Sequence, residues 1–213
     1  MKLHMAHCTG LIAVALIASA ALVRADEILD RVLAIVGGEM VTLTDVTAAR
    51  DFGLVDAPPG ADVKEILPRL IDRELILAEV DRYAPPEPNP DALDAEVKAR
   101  RARFSSEQAF QTALTRSGIS EGHLRETLRQ DLRIQTYLDQ RFAVPPPSDD
   151  ELGRYYRDHL QAFTRGAEVA PFDAVRTQVA LAAITARRTQ LIGDWLAGLR
   201  RRADILDLTG PAS

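Results

Sequence analysis

The chain has 213 residues, 26 Lys and Arg against 31 Asp and Glu, a formal charge of −5 and one cysteine. A net acidic chain lacks the basic field that general nucleic-acid binding needs, and a lone cysteine cannot build a disulfide framework, so stability must come from packing. Aromatic residues are only 5% of the chain, and the long helical patterns described below fit an open, helical shape better than one compact ball.

The N-terminus sets the compartment. Lys2 precedes an uncharged run from Leu11 to Val23, which ends in Val23-Arg24-Ala25 before Asp26 and Glu27. The run is shorter than the about 20 apolar residues of a membrane span, and Ala25 with Val23 two before it suits signal-peptidase cleavage. The expectation is a secretory signal over residues 1–25, cleaved after Ala25, and a periplasmic product. Cys8 lies ahead of the run, where an acylated cysteine would follow it, so the product has no cysteine. Cleavage removes Lys2 and Arg24 and no acid, which leaves 188 residues at a charge of −7.

Arg31 to Thr44, RVLAIVGGEMVTLT, holds two short apolar runs around Gly37-Gly38-Glu39 and predicts a small β-hairpin. Thr44 is the expected cap of a helix running through Val46 to about Phe52, with Gly53 at its end. Asp56 to Gly60 is a loop. Asp62 to Tyr83 is the stretch around which the rest is organised. Ile66, Leu67, Leu70, Ile71, Leu75, Ile76, Leu77 and Val80 cover more than half of this helix's girth, so it must be largely buried. Pro68 either kinks it or opens its main part, and Pro85-Pro86 stops it.

Asn89 and Pro90 open a helix over Asp91 to Arg103. Ser105 with Gln108 predicts a capping box for the next, which buries Phe110, Ala113 and Leu114 and ends at Gly118. Ser120 caps a long helix to Phe142, ended by Val144-Pro145-Pro146-Pro147. Ser148 and Glu151 form a second capping box for a helix to about Phe163, and Thr164 to Pro171 is a loop. A last long helix from Phe172 carries Val175, Val179, Ile192, Trp195, Leu196 and Leu199, and closes on Arg200, Arg201 and Arg202. Trp195 reads as a buried anchor, and Tyr155-Tyr156 as one buried and one available ring. Residues 203–208 form a short strand that has only the N-terminal hairpin to pair with.

Catalytic chemistry finds little support. After cleavage the histidines are His123 and His159, both read as surface residues, and no thiol nucleophile or metal cluster is available. Asp149, Asp150 and Glu151 point in different directions from one helix start and are read as dipole and cap residues. Gly37-Gly38 lacks a phosphate-loop pattern. No cofactor, metal or catalytic residue is expected. Arg100, Arg101 and Arg103, with the Arg200 to Arg202 run, are read as solvated faces.

Taken in order, DRVLAIVGGEMVTLTDV (residues 30–46), PRLIDRELILAEV (68–80), PSDDELGRYYRDHLQAF (147–163) and the tail from Pro171 to Ile205 resemble the SurA-type periplasmic chaperones and the helical module of trigger factor. That resemblance implies a mainly α, open multi-helix chaperone module with a small N-terminal β-hairpin joined by a short C-terminal strand. Its core would be residues 26–84 plus 172–208, its helical arm 89–163, and its tail 209–213. In the family a parvulin isomerase domain typically follows the YYRDHLQAF-like helix, whereas only Thr164 to Ala170 stands here. The resemblance therefore implies an ATP-independent chaperone without isomerase activity, whose partners are unfolded or extended clients such as outer-membrane proteins. Phe104, Phe110, Leu114, Tyr137 and Phe142 are the expected client-binding residues. The alternative is a structural subunit that pairs with a full-length relative or with itself, as a homodimer or helix-swapped oligomer.

Overall fold

The computed structural model describes residues 30–210. The expected signal segment, its cleavage point and residues 211–213 lie outside them.

β1 (Val32–Val36) and β2 (Glu39–Thr42) form the hairpin, and Gly37 and Gly38, with φ of 58° and 99°, take the left-handed positions its tight turn demands. The chain's last strand, β5 (Ile205–Asp207), pairs antiparallel with β1, so the sheet order is β2-β1-β5 and both ends of the described chain share one sheet. α1 (Leu43–Phe52) leaves β2 directly, and its cap is therefore the last strand residue, Thr42, rather than Thr44. Thr42 Oγ1 accepts from the Asp45 amide at 3.2 Å while Asp45 Oδ2 accepts from the Thr42 amide at 2.8 Å.

α2 (Val63–Tyr83) is one continuous helix, opened by a reciprocal Asp62–Glu65 capping box and closed by Ala84 in the left-handed region. Pro68 does not divide it. The proline lies on the exposed face, as does Lys64, whose carbonyl loses its usual donor at Pro68 and is left to water. All eight apolar residues named above for this helix are buried. Ala34, Val36 and Val41 of the sheet, Val46 and Ala49 of α1, and Leu199 pack on its first two-thirds.

The arm consists of α3 (Pro90–Arg101), α4 (Glu107–Ser117) and α5 (Glu121–Arg141). Ser106, not Ser105, caps α4 by accepting from the Ala109 amide. Phe52, Leu93, Val97, Phe110, Leu114, Leu124 and Leu128 make a second core that ties the arm to α1. The three arginines read as a solvated face have structural work instead. Arg100 donates to the Gly53 carbonyl at 2.8 Å and Arg103 to the Phe52 carbonyl at 3.3 Å, placing cations on the negative end of α1, and Arg101 pairs with Glu121. Arg200 likewise bonds Asp72 and the Pro68 carbonyl, whereas Arg201 and Arg202 are exposed.

α6 (Asp149–Asp158) starts at the Ser148–Glu151 capping box and gives way to a 3₁₀ turn over Leu160–Phe163, so it stops before Phe163. The expected loop after it is a small hairpin, β3 (Thr164–Arg165) and β4 (Glu168–Val169), turned at Gly166 with φ of 65°. α7 (Phe172–Arg202) is 31 residues long. Its first half packs on α6 around Leu152, Phe163, Val175 and Val179, and its last turns pack on α2. Tyr155 and Tyr156 are both half-buried, against the expected split. Tyr155 stacks on His159 at 4.0 Å, and Tyr156 packs against Phe163 and Phe172 while its hydroxyl donates to the Ala170 carbonyl at 2.7 Å.

Candidate functional site

Three helix ends meet where α2 stops, α5 stops and α7 makes its last turns. Tyr83, Tyr137 and Trp195 stand in a row there, with ring centroids 5.4 Å and 6.0 Å apart, and Phe142 lies 5.2 Å from Trp195. The Arg141 guanidinium sits over Tyr137, Phe142 and Trp195 at 5.5 to 5.8 Å, within cation-π range of all three. Tyr137 is buried, Trp195 and Phe142 are half-buried, and Tyr83 is 60% exposed. Trp195 is thus not the fully buried anchor expected from its stripe. It fills the seam between two clusters and stays only partly buried, with Tyr137, Phe142 and Arg141 against its ring.

The patch continues along α7. Ala143 to Pro147, the stiff joint after α5, runs beside Ala183, Ile184 and Leu191, and with Tyr155 it lines a trough of about 470 Å³ whose polar members are Glu151 and Arg187. Leu191 is one helical turn before Trp195, and Ala143 directly follows Phe142, so the trough adjoins the patch. From Ile184 to Trp195 the helix rises about 16 Å, the span of about five extended residues.

A second concavity of about 680 Å³ lies between the hairpin turn, the last turns of α2 and the α7–β5 junction. Val36, Leu75, Leu77 and Leu199 form its floor, with Glu39, Glu79, Asp81 and Asp204 on its rim.

The five sequence-named residues fall into two places. Tyr137 and Phe142 belong to the aromatic patch. Phe104, Phe110 and Leu114 belong to the arm's own core, where Phe52, Phe104 and Phe110 pack as a triad with centroids 5.4 to 5.9 Å apart. Phe110, Leu114 and Tyr137 are buried, while Phe104 and Phe142 are half-buried. The sequence reading missed Tyr83, Arg141, Ile184, Leu191 and the partial exposure of Trp195. One signal for the first was available: Tyr83 and Phe142 each sit just before a proline run, where a helix end leaves a ring half-covered.

The titratable groups are structural. His123 and His159 are exposed, and the Nδ1 of His159 lies 2.8 Å from the Tyr155 carbonyl. The Ser148 hydroxyl and amide hold the Glu151 carboxyl below its ordinary value, as a capping carboxylate requires. Burial pushes Glu74 and Asp131 upward even though Arg73 touches both. Among the described residues no three His, Cys, Asp or Glu side chains are grouped to hold a metal ion, and no helix is long and apolar enough to cross a membrane.

No family model matches the sequence, and no curated protein matches it. Its fold does match a solved chain from work on two structurally related SurA-like chaperones of Campylobacter jejuni, the virulence factor PEB4 and the periplasmic protein Cj1289. The TM-score is 0.53 at 14% identity, over 84% of this chain and 100% of that chain. In overall fold, which is mainly helical, this chain is similar to a SurA-like chaperone.

Proposed function

We propose that this protein is an ATP-independent periplasmic chaperone that holds extended segments of unfolded secreted or outer-membrane proteins and has no isomerase activity. The observation that carries this reading is the partly exposed aromatic patch of Tyr83, Trp195 and Phe142 beside the proline-lined trough. Such a surface offers an apolar segment partial burial at low affinity, which suits capture and release without a nucleotide. The fold likeness supports the same role. Phe142 and Trp195 are the proposed contact residues, with Phe104 as a half-exposed outlier on the arm. Residues 164–169 form a two-stranded hairpin between α6 and α7, which supports the absence of isomerase chemistry at this point of the chain.

The test is light scattering of an unfolded outer-membrane barrel diluted from urea with and without the purified protein. Suppression is expected without ATP, together with a substantial loss for the double variant Trp195→Ala, Phe142→Ala. Unchanged aggregation in the presence of folded wild-type protein would refute the reading. A proline tetrapeptide should isomerise no faster with the protein than in a matched blank.

A further inference from the structure

We propose that the open edge of β5 docks an extended segment of another polypeptide by strand addition, and that this edge selects an apolar strand carrying basic residues three positions apart, opposite Asp204 and Asp207. The inference goes beyond the trough and does not depend on it.

The backbone register defines what the edge offers. The Gly37 amide donates to the Asp204 carbonyl and the Leu208 amide to the Leu33 carbonyl, both at 2.9 Å. With Ile35 opposite Leu206, residues 204, 206 and 208 therefore face β1, and the N–H and C=O groups of Ile205 and Asp207 point the other way. No strand lies beyond β5 among the described residues. Two residues' worth of donors and acceptors thus stand ready for a partner. At the opposite edge, β2 turns only Met40 outward.

The side chains specify the partner. Met40, Ile35 and Leu206 lie in one cross-strand row, with Met40 62% and Leu206 53% exposed, and Leu208 is 41% exposed beyond them. β5 is a short edge, it carries no lysine or proline, and the charges it does carry are acidic. It carries Asp204 and Asp207, neither of which is in an ion pair with a described residue. The Asp207 carboxylate accepts from the Thr209 hydroxyl at 2.6 Å and amide at 2.8 Å, which keeps it ionised at neutral pH. An added strand would place apolar residues opposite Leu206 and Leu208 and cations opposite the two aspartates, each pair favourable across a ladder. A second copy does not meet this specification. In β5-to-β5 pairing about a two-fold axis, Asp207 faces Ile205, Ala203 or its own copy, never a cation.

The experiment uses the purified protein, an acetylated peptide containing Val-Lys-Val-Val-Lys, its glutamate counterpart, and the lysine peptide with alternate amides N-methylated in either register. The lysine peptide should bind roughly threefold or more tightly than the glutamate peptide and slow hydrogen exchange at the Ile205 and Asp207 amides. N-methylation should abolish that protection in one of the two registers, because it removes the donors but keeps charge and shape. The double variant Asp204→Asn, Asp207→Asn should erase the lysine preference, whereas Trp195→Ala with Phe142→Ala should leave it intact. Equal binding of both peptides, protection confined to Met40, or a peptide-free dimer with Ile205 and Asp207 already protected would each overturn the proposal.

Discussion

Arg73 on α2 donates through Nε to Asp131 on α5 at 2.8 Å, and the same guanidinium reaches Glu74, Gln130 and the Thr127 carbonyl. One side chain therefore ties the central helix to the arm through both its charge and its donors. Replacing it by Leu would strand two partly buried carboxylates without a cation. Arg73→Leu should cost about 2 to 4 kcal/mol, somewhat below the range for a fully buried pair, and the urea midpoint checks it.

The same cluster makes a pH prediction. Burial raises the Asp131 and Glu74 carboxyls above their unfolded values despite Arg73, so between those values the native state binds more protons than the unfolded chain. Stability should then fall as pH rises from about 4 through the raised values. Asp51 has the opposite sign. Burial raises it, but hydrogen bonds and charge from Arg116 and Arg50 outweigh burial and hold it low, so its contribution is present above about pH 4 and lost as pH falls through its depressed value. Urea midpoints across the acid range should show a shallower falling slope in Asp131→Asn, with Glu74 supplying the remainder, and a smaller acid loss in Asp51→Asn.

Trp195→Ala tests the aromatic patch. A fully buried Trp would cost about 3 to 5 kcal/mol to truncate, and a half-buried one about half of that. The expected loss is therefore about 1.5 to 2.5 kcal/mol by urea unfolding, with the cooperative slope retained.

Much of this fold was legible because its signals are local. Gly37-Gly38, the Ser148–Glu151 box and the buried face of α2 are set by residues within a few positions of one another. What escaped depends on partners far along the chain. Whether Thr42 or Thr44 caps α1 is settled by where β2 stops pairing with β1, and the fates of Arg100 and Arg103 by carbonyls 47 and 51 residues away. The half-exposure of Trp195 has the same origin, since a stripe states which face is apolar but not whether a neighbour reaches every turn of it. Tyr137, Phe142 and Trp195 meet only because α5 and α7 end on the same side of α2.

The α4 start offers a local check on that lesson. Ser106 accepts from the Ala109 amide, and Ser105 caps nothing. Ser106→Ala should destabilise by about 1 kcal/mol, whereas Ser105→Ala should stay within about 0.5 kcal/mol of wild type.

Removal of everything after Pro171 should do far more harm. It deletes α7 and β5, uncovers the side of α2 that Leu199 packs on and leaves β1 without its second neighbour. The fragment should lose cooperative urea unfolding. A fragment that kept the parent's midpoint and slope would show that the first and last elements do not form one core.

Because α7 is a single helix of about 46 Å whose two ends belong to different cores, it works as a strut as well as a cover. A displacement at the Gly166 tip, passed through Phe163 and Val179, meets one uninterrupted helix that leads to Leu199 and β5. A load on the α6 end is therefore coupled to the sheet that joins the first and last described strands.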